Sequence, residues 1–229
     1  MHESTAKIVE LMNLLVVFGT RPEAIKLAPL ILKLRQQFKV KICVTGQHRE
    51  MLDQVLRVFK INSDFDLNLM KPNQNLTSLT SGVLEGVHGL LEKEHFDWII
   101  VQGDTTTAMA ASLAAYYKQI PVGHVEAGLR SFNMRMPEEI NRIITDRVST
   151  LLFCPSEASV RNLEKEGIGN IHGRRVVLSG DVMYDAYLHF SDSAQKISSI
   201  ISDLDLENSP FLLCTIHRPE NTDDQERLE

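Results

Sequence analysis

Residues 14–26 read LLVVFGTRPEAIK: five apolar residues, then a glycine, a hydroxyl and a run of charge. Buried parallel strands read as near-continuous Val/Ile/Leu runs. The residues behind this run carry helix-start chemistry. Gly19 permits a sharp turn, Thr20 can cap a helix, and Pro22 suits a first helical turn, where its missing N–H costs nothing. The same change of character recurs after the apolar runs at 42–44, 98–101, 121–125, 151–154, 176–178 and 211–216. Between the runs, apolar residues fall at helical spacing over 22–37, 51–59, 77–94, 105–118, 137–148 and 156–166. Strands alternating with helices predict right-handed βαβ units and an α/β, doubly wound, Rossmann-like parallel sheet. Ligands of such sheets bind outside the carboxyl ends of the strands. The polar residues behind each run are therefore the candidate site.

Outward from these runs, the chain divides into an N-terminal extension (1–13), a Rossmann-like domain (14–190), a polar connecting helix and linker (191–209) with a helical core at Ile197, Ile200 and Ile201, and a new strand with the start of a helix (210–229). At 229 residues, 43% hydrophobic and 24% charged, the composition is that of an ordinary globular protein. A net charge of −6 gives no basic footprint for nucleic acid. No apolar stretch approaches the ~20 residues of a membrane span. The first 13 residues carry Glu3 and Glu10 and lack the basic and apolar regions of a secretory signal. Cys43, Cys154 and Cys214 show no CxxC or metal-ligand spacing and read as small buried strand residues. A reducing cytoplasm fits them.

The turns differ in chemistry. Arg21 beside a helix N-terminus makes an anion-binding arrangement, or else a well-capped turn with surface charge. Neither GxGxxG nor GxxxxGK[ST] is present. In Gln102-Gly103-Asp104-Thr105-Thr106-Thr107, Asp104 reads as a helix cap, while three consecutive threonines could offer hydroxyls to a ligand. Glu126, at the end of a buried strand, needs a partner or a catalytic role, because desolvating a carboxylate is costly. His124, inside the same strand, reads as a satisfied structural residue. Glu138 and Arg142 stand at i,i+4 on a helix opened by Pro137. The preceding loop, 131–136, could fold over a site. His217 follows its apolar run as Arg21 follows the first. The histidines show no metal-ligand spacing, and GxSxG is absent.

Taken together, GTRPEAIKLAPL (19–30), TGQHREMLDQV (45–55), QGDTTTAMAASLAA (102–115), GHVEAGLRSFNMRMPEEINR (123–142), the Gly180-Asp181-Val182 turn and HRPEN (217–221) resemble the non-hydrolysing UDP-N-acetylglucosamine 2-epimerases. The resemblance implies the first half of a glycosyltransferase-B-type two-domain fold, with a UDP-sugar in the cleft between domains. It implies interconversion of UDP-N-acetylglucosamine and UDP-N-acetylmannosamine for cell-surface polysaccharide precursors, without NAD, metal or other cofactor, by elimination and re-addition of UDP. Full-length relatives would be homodimers. By motif match, Arg21 and Lys26 hold UDP; Asp104, Glu126 and Glu138 are the acid–base carboxylates, supported by Arg142; His217 comes from the second domain; Gln47 and His48 match a segment that binds a second, activating UDP-sugar. Two departures matter. The family's second domain is missing after Glu229, so the chain reads as a truncated one, expected to bind UDP-sugars weakly and not to turn over alone. Residues 130–137 are more similar to relatives acting on UDP-2,3-diacetamido-glucuronic acid, whereas Glu23-Ala24 leans to the N-acetylglucosamine enzymes. The diacetamido sugar is the alternative substrate, and an inactive UDP-sugar-binding fragment the alternative role.

Overall fold

A computed structural model describes residues 11–46, 49–69, 74–171, 173–208, 210–215 and 225. In chain order the elements are β1 (Asn13–Phe18), α1 (Arg21–Leu34), β2 (Lys39–Val44), α2 (Arg49–Val58), β3 (Phe65–Asp66), α3 (Leu76–Lys93), β4 (Trp98–Gln102), α4 (Thr106–Tyr117), β5 (Val122–Val125), α5 (Pro137–Val148), β6 (Leu151–Cys154), α6 (Glu157–Lys165), β7 (Arg175–Leu178), α7 (Val182–Ile197) and α8 (Ile200–Asp203). Two compact units result, Met1–His189 and Phe190–Glu229. Among the described residues, no helix is long and apolar enough to cross a membrane.

The seven strands form one sheet in the order β3-β2-β1-β4-β5-β6-β7. Every pairing is parallel. The chain lays strands outward from β1 to β3, crosses back, and lays the rest on the other side of β1. The direction of winding reverses between β1 and β4, the topological switch point where open α/β sheets bind ligands. This is the doubly wound Rossmann-like fold expected from the alternating runs.

Six of the seven apolar runs lie in strands. The seventh does not: residues 211–215 form no strand, and Leu212 is 99% exposed. An apolar run becomes a strand only where another strand takes up its N–H and C=O groups, and no described strand pairs with this one. The seventh strand is instead β3, two residues paired with Cys43 and Val44, too short to show a period. The helical core expected at Ile197, Ile200 and Ile201 falls at the end of α7 and in α8.

Burial explains the layers. Leu15, Val16, Val17 and Phe18 of β1 are fully buried, as a strand covered on both faces requires. α3 turns Leu79, Val83, Val87, Leu90 and Leu91 inward, and α4 adds Ala108, Ala110, Ala111, Ala114 and Ala115 to the same core. Small side chains let α4 sit inside the fold with little cost in helix propensity. Cys43 and Cys154 are buried, but Cys214 is exposed, against the expectation for all three. Burial pushes the Cys43 and Cys154 thiols up to about 12.

One glycine fixes how β5 meets α6. Gly128 has φ of +77°, and a Cβ there would lie 2.4 Å from the Ser159 carbonyl oxygen. The obstacle is backbone, so it cannot rotate away. Gly128→Ala is expected to destabilise the chain by about 3 kcal/mol or more, read as a lowered urea midpoint with an unchanged slope.

Candidate active site

The turns after β1 and β4 meet across the switch point through one carboxylate. Glu23, in the first turn of α1, is buried. Its Oε2 accepts from the Gly19 N–H at 3.0 Å, the Thr20 N–H at 2.8 Å and the Thr20 hydroxyl at 2.8 Å. Its Oε1 accepts from the Thr105 hydroxyl at 2.8 Å. Burial pushes this carboxyl above its ordinary value, and the Thr105, Thr20 and Gly19 donors work against that push. At this helix N-terminus, where the sequence suggested an anion-binding arrangement, the Gly19 and Thr20 N–H groups already donate to an internal carboxylate. Thr20 is the α1 N-cap and Pro22 lies in the first turn, as expected.

Arg21 is exposed, with no hydrogen bond or ion pair among the described residues. Lys26, one turn on, reaches across to Glu126, with Nζ 2.6 Å from Oε2. The Gln102 amide donates to the same oxygen. Glu126 directly follows β5 and holds φ of +69°, a left-handed conformation costly for a non-glycine residue. Its neighbours over-determine it: Lys26, Gln102, and the Ala127 N–H bonded to the Phe153 carbonyl at 2.9 Å.

Asp104 is not the cap of α4. Thr105 takes that place, its hydroxyl accepting from the Ala108 N–H at 3.0 Å. Thr107 bonds Thr45 at 3.0 Å and Thr106 is buried, so the three threonines serve the fold. Relieved of capping, the Asp104 carboxylate pairs with Arg142. Its backbone carbonyl accepts from Asn141 Nδ2 at 2.8 Å. Arg142 also reaches Glu139 at 3.3 Å, in place of the pairing with Glu138 that i,i+4 spacing suggested. Glu139, which no sequence motif singles out, is 1% exposed and accepts from the Ser131 N–H (2.9 Å), the Ser131 hydroxyl (3.0 Å) and the Phe132 N–H (3.0 Å). Burial alone would raise its carboxyl; these bonds and Arg142 outweigh it and hold it below the ordinary value. Glu139 thus ties the first residues of the 131–136 loop to α5. Glu138 is half-buried and has no partner among the described residues. Gln47, His48 and His217 lie outside the described residues.

Beneath these turns runs a buried polar network. His124 lies between the Gly103 carbonyl, 2.8 Å from Nε2, and Asp146 Oδ1, 2.7 Å from Nδ1, which bears out its structural reading. Asp146 Oδ2 accepts from the Gly128 N–H at 3.2 Å and pairs with Arg130 at 2.7 Å. Arg130 closes the chain with a two-armed pair to Glu166 at 2.6 and 2.8 Å. Burial would raise the Asp146 carboxyl; the His124 and Arg130 charges and hydrogen bonds outweigh it and hold it below the carboxylate range. No group of three or more His, Cys, Asp or Glu among the described residues is placed to hold a metal ion.

Fold and site together define a Rossmann-like protein with paired carboxylates and cations at the switch point. Its family is settled by comparison with known proteins. The model of the UDP-N-acetylglucosamine 2-epimerase family matches residues 31–229, and the chain belongs to that family. It is similar to the UDP-N-acetylglucosamine 2-epimerase of Neisseria meningitidis serogroup A, 46% identical over 220 residues, covering 92% of this chain and 58% of that relative. Among solved structures, it is similar to the Neisseria meningitidis UDP-GlcNAc 2-epimerase bound to UDP-GlcNAc, with 46% identity and a TM-score of 0.76 over 86% of this chain and 54% of the other. It is also similar to the Methanocaldococcus jannaschii UDP-GlcNAc 2-epimerase in complex with UDP-GlcNAc and UDP, with 37% identity and a TM-score of 0.84 over 95% of this chain and 60% of the other. The chain therefore spans a little over half the length of these relatives.

The depressed Asp146 carboxyl carries a sign. A carboxyl held below its unfolded value stabilises the fold above that value, and the stabilisation is lost as pH falls. Asp146→Asn is expected to cost about 3–5 kcal/mol at pH 7, as loss of one partner of a buried pair does, and to flatten the decline in stability below about pH 4. Urea denaturation at a series of pH values measures both.

Proposed function

We propose that the chain supplies one side of the cleft of a nucleotide-sugar epimerase that inverts C2 of UDP-N-acetylglucosamine to give UDP-N-acetylmannosamine. The observation that carries this reading is Glu126: a carboxylate held in a strained conformation after β5, against a lysine of α1 that a diphosphate would attract. A carboxylate base takes the C2 proton, the C–H pair forms a C1=C2 double bond, and the C1–O bond breaks as UDP leaves with its electron pair. Re-addition of a proton at C2 from the opposite face, and of UDP at C1, gives the epimer. Arg21 and Lys26 bind the diphosphate. As Lys26 turns to the phosphate, Glu126 loses its ion-pair partner and is freed to exchange a proton. Asp104, steadied by Arg142 and Asn141, and Glu138, which has no partner among the described residues, are the further acid–base candidates, with Glu126 and Asp104 ranked above Glu138. Gln47 and His48 are assigned to a second UDP-sugar.

The rest of the cleft belongs to a second Rossmann-like domain in a glycosyltransferase-B arrangement, beginning near residue 210 after a linker at 191–209 and contributing His217. The complete protein acts in the cytoplasm as a homodimer. Because catalysis in such a cleft needs electrostatic stabilisation from both sides, the test uses a chimera in which the C-terminal half of the Neisseria meningitidis relative completes this chain. Proton NMR of UDP-N-acetylglucosamine in D2O is expected to show deuterium entering at C2 and the manno epimer accumulating. Glu126→Gln is expected to slow that exchange about 10²–10⁴-fold with the circular dichroism spectrum unchanged. Undiminished exchange in the variant removes Glu126 from the proton transfer. A chimera that binds UDP and exchanges nothing at C2 overturns the epimerase reading.

A further inference from the structure

His124 stands two residues before Glu126 with none of its side chain exposed. A backbone carbonyl only accepts, so the ring nitrogen facing Gly103, Nε2, donates to it. Gly103 immediately precedes Asp104 and holds φ of +73°. Its own N–H donates to the Val125 carbonyl at 2.9 Å. The turn that carries Asp104 is thus gripped by β5 at both ends of one residue, once by backbone and once by the imidazole. On the other nitrogen sits Asp146, whose second oxygen takes the Gly128 N–H. Gly128 lies two residues beyond Glu126. The imidazole and its carboxylate therefore touch the turns of both acid–base candidates and bond to neither candidate's side chain.

We propose that His124 is a positioning residue: together with Asp146 it fixes the turn of Asp104 relative to the turn of Glu126, and it bears on the chemistry at C2 only through them. Two left-handed residues, Gly103 and Glu126, directly follow adjacent strands. Glu126 does not adopt such a conformation in isolation; its φ persists only while the surroundings hold it. Reacting groups displaced by about 1 Å lose on the order of 100-fold in rate, so a lock on these turns matters to turnover even though it lies beneath the site. The consequence for catalysis rests on the epimerase reading; the lock itself does not.

Two variants separate the two nitrogens. The side-chain amide of Gln reaches where Nε2 sits, and that of Asn where Nδ1 sits. His124→Gln keeps the donor to Gly103, whereas His124→Asn leaves that carbonyl bare and keeps a partner for Asp146. Amide hydrogen exchange by NMR compares Gly103 with Ile99, whose N–H bonds the Pro121 carbonyl at the start of β5. His124→Asn is expected to speed exchange at Gly103 at least ~10-fold relative to Ile99, and His124→Gln to leave the ratio within about threefold. Equal protection at Gly103 in wild type and both variants overturns the lock. In the wild type alone, in low urea, the Gly103 amide is expected to open only with global unfolding, as Ile99 does; opening by a separate low-energy route also overturns it, even should the Asn variant not fold. In the chimera, His124→Asn should lower kcat about 100-fold with KM unchanged, and His124→Gln should restore most of it. A raised KM with intact kcat overturns the positioning role. Absence of C2 exchange in the wild-type chimera sinks the epimerase reading and leaves the amide result to stand by itself.

Discussion

Glu23 accepts three hydrogen bonds from the turn after β1 and one from the turn after β4. It bridges the two strands between which the winding reverses. Here a Rossmann-like sheet is open, because the helices on either side lead away from it. Uncapped N–H groups at the start of α1 would invite any anion into the gap. The internal carboxylate fills the gap first and fastens its two edges to each other. In the proposed function, a ligand's diphosphate is left to the side chains above the turn, Arg21 and Lys26, instead of the backbone. The absence of a glycine-rich dinucleotide fingerprint in the sequence and the presence of this carboxylate in the structure are two sides of one arrangement.

The charges over that base are largely spoken for before any ligand arrives. Lys26 holds Glu126, and Arg142 holds both Asp104 and Glu139. Arg21 and Glu138 are the site's charged groups without a partner among the described residues. Pairing of this kind keeps a cluster of like and unlike charges compatible with a folded, partly buried surface. It also makes each pair a competitor that a ligand must displace. In the proposed function, an anion that draws Lys26 away does more than bind: it takes from Glu126 its ion-pair partner.

Much of the fold and part of the site are legible in the sequence, for reasons that differ by residue. Strands buried on both faces write themselves as unbroken apolar runs, so β1 and β4 are plain. β3 is not, since two residues carry no period, and residues 211–215 mislead, because a run states burial and says nothing of a pairing partner. Asp104 and Thr105 are both cap residues by type; which one caps depends on where the helix begins, a matter of one residue that propensity does not settle. The choice between Glu138 and Glu139 is available in principle. Helix phase sets Glu139 on the face of Arg142 and Asp146, at i+3 and i+7, but both carboxylates suit a first turn and the family motif draws attention to the other. The two hydrogen bonds of His124 lie beyond reach, since their partners, Gly103 and Asp146, are distant in sequence and meet it only through the fold.

The uneven placing of the three thiols has a practical use. With thiols pushed up to about 12 by burial, Cys43 and Cys154 stay protonated at pH 8, and both are buried. Cys214 is exposed. A maleimide dye offered to the folded protein has one accessible attachment point, in the second compact unit, while the sheet remains unmodified. Fluorescence from that dye would follow the region after residue 190 separately from the domain that carries the carboxylates, without a single engineered cysteine.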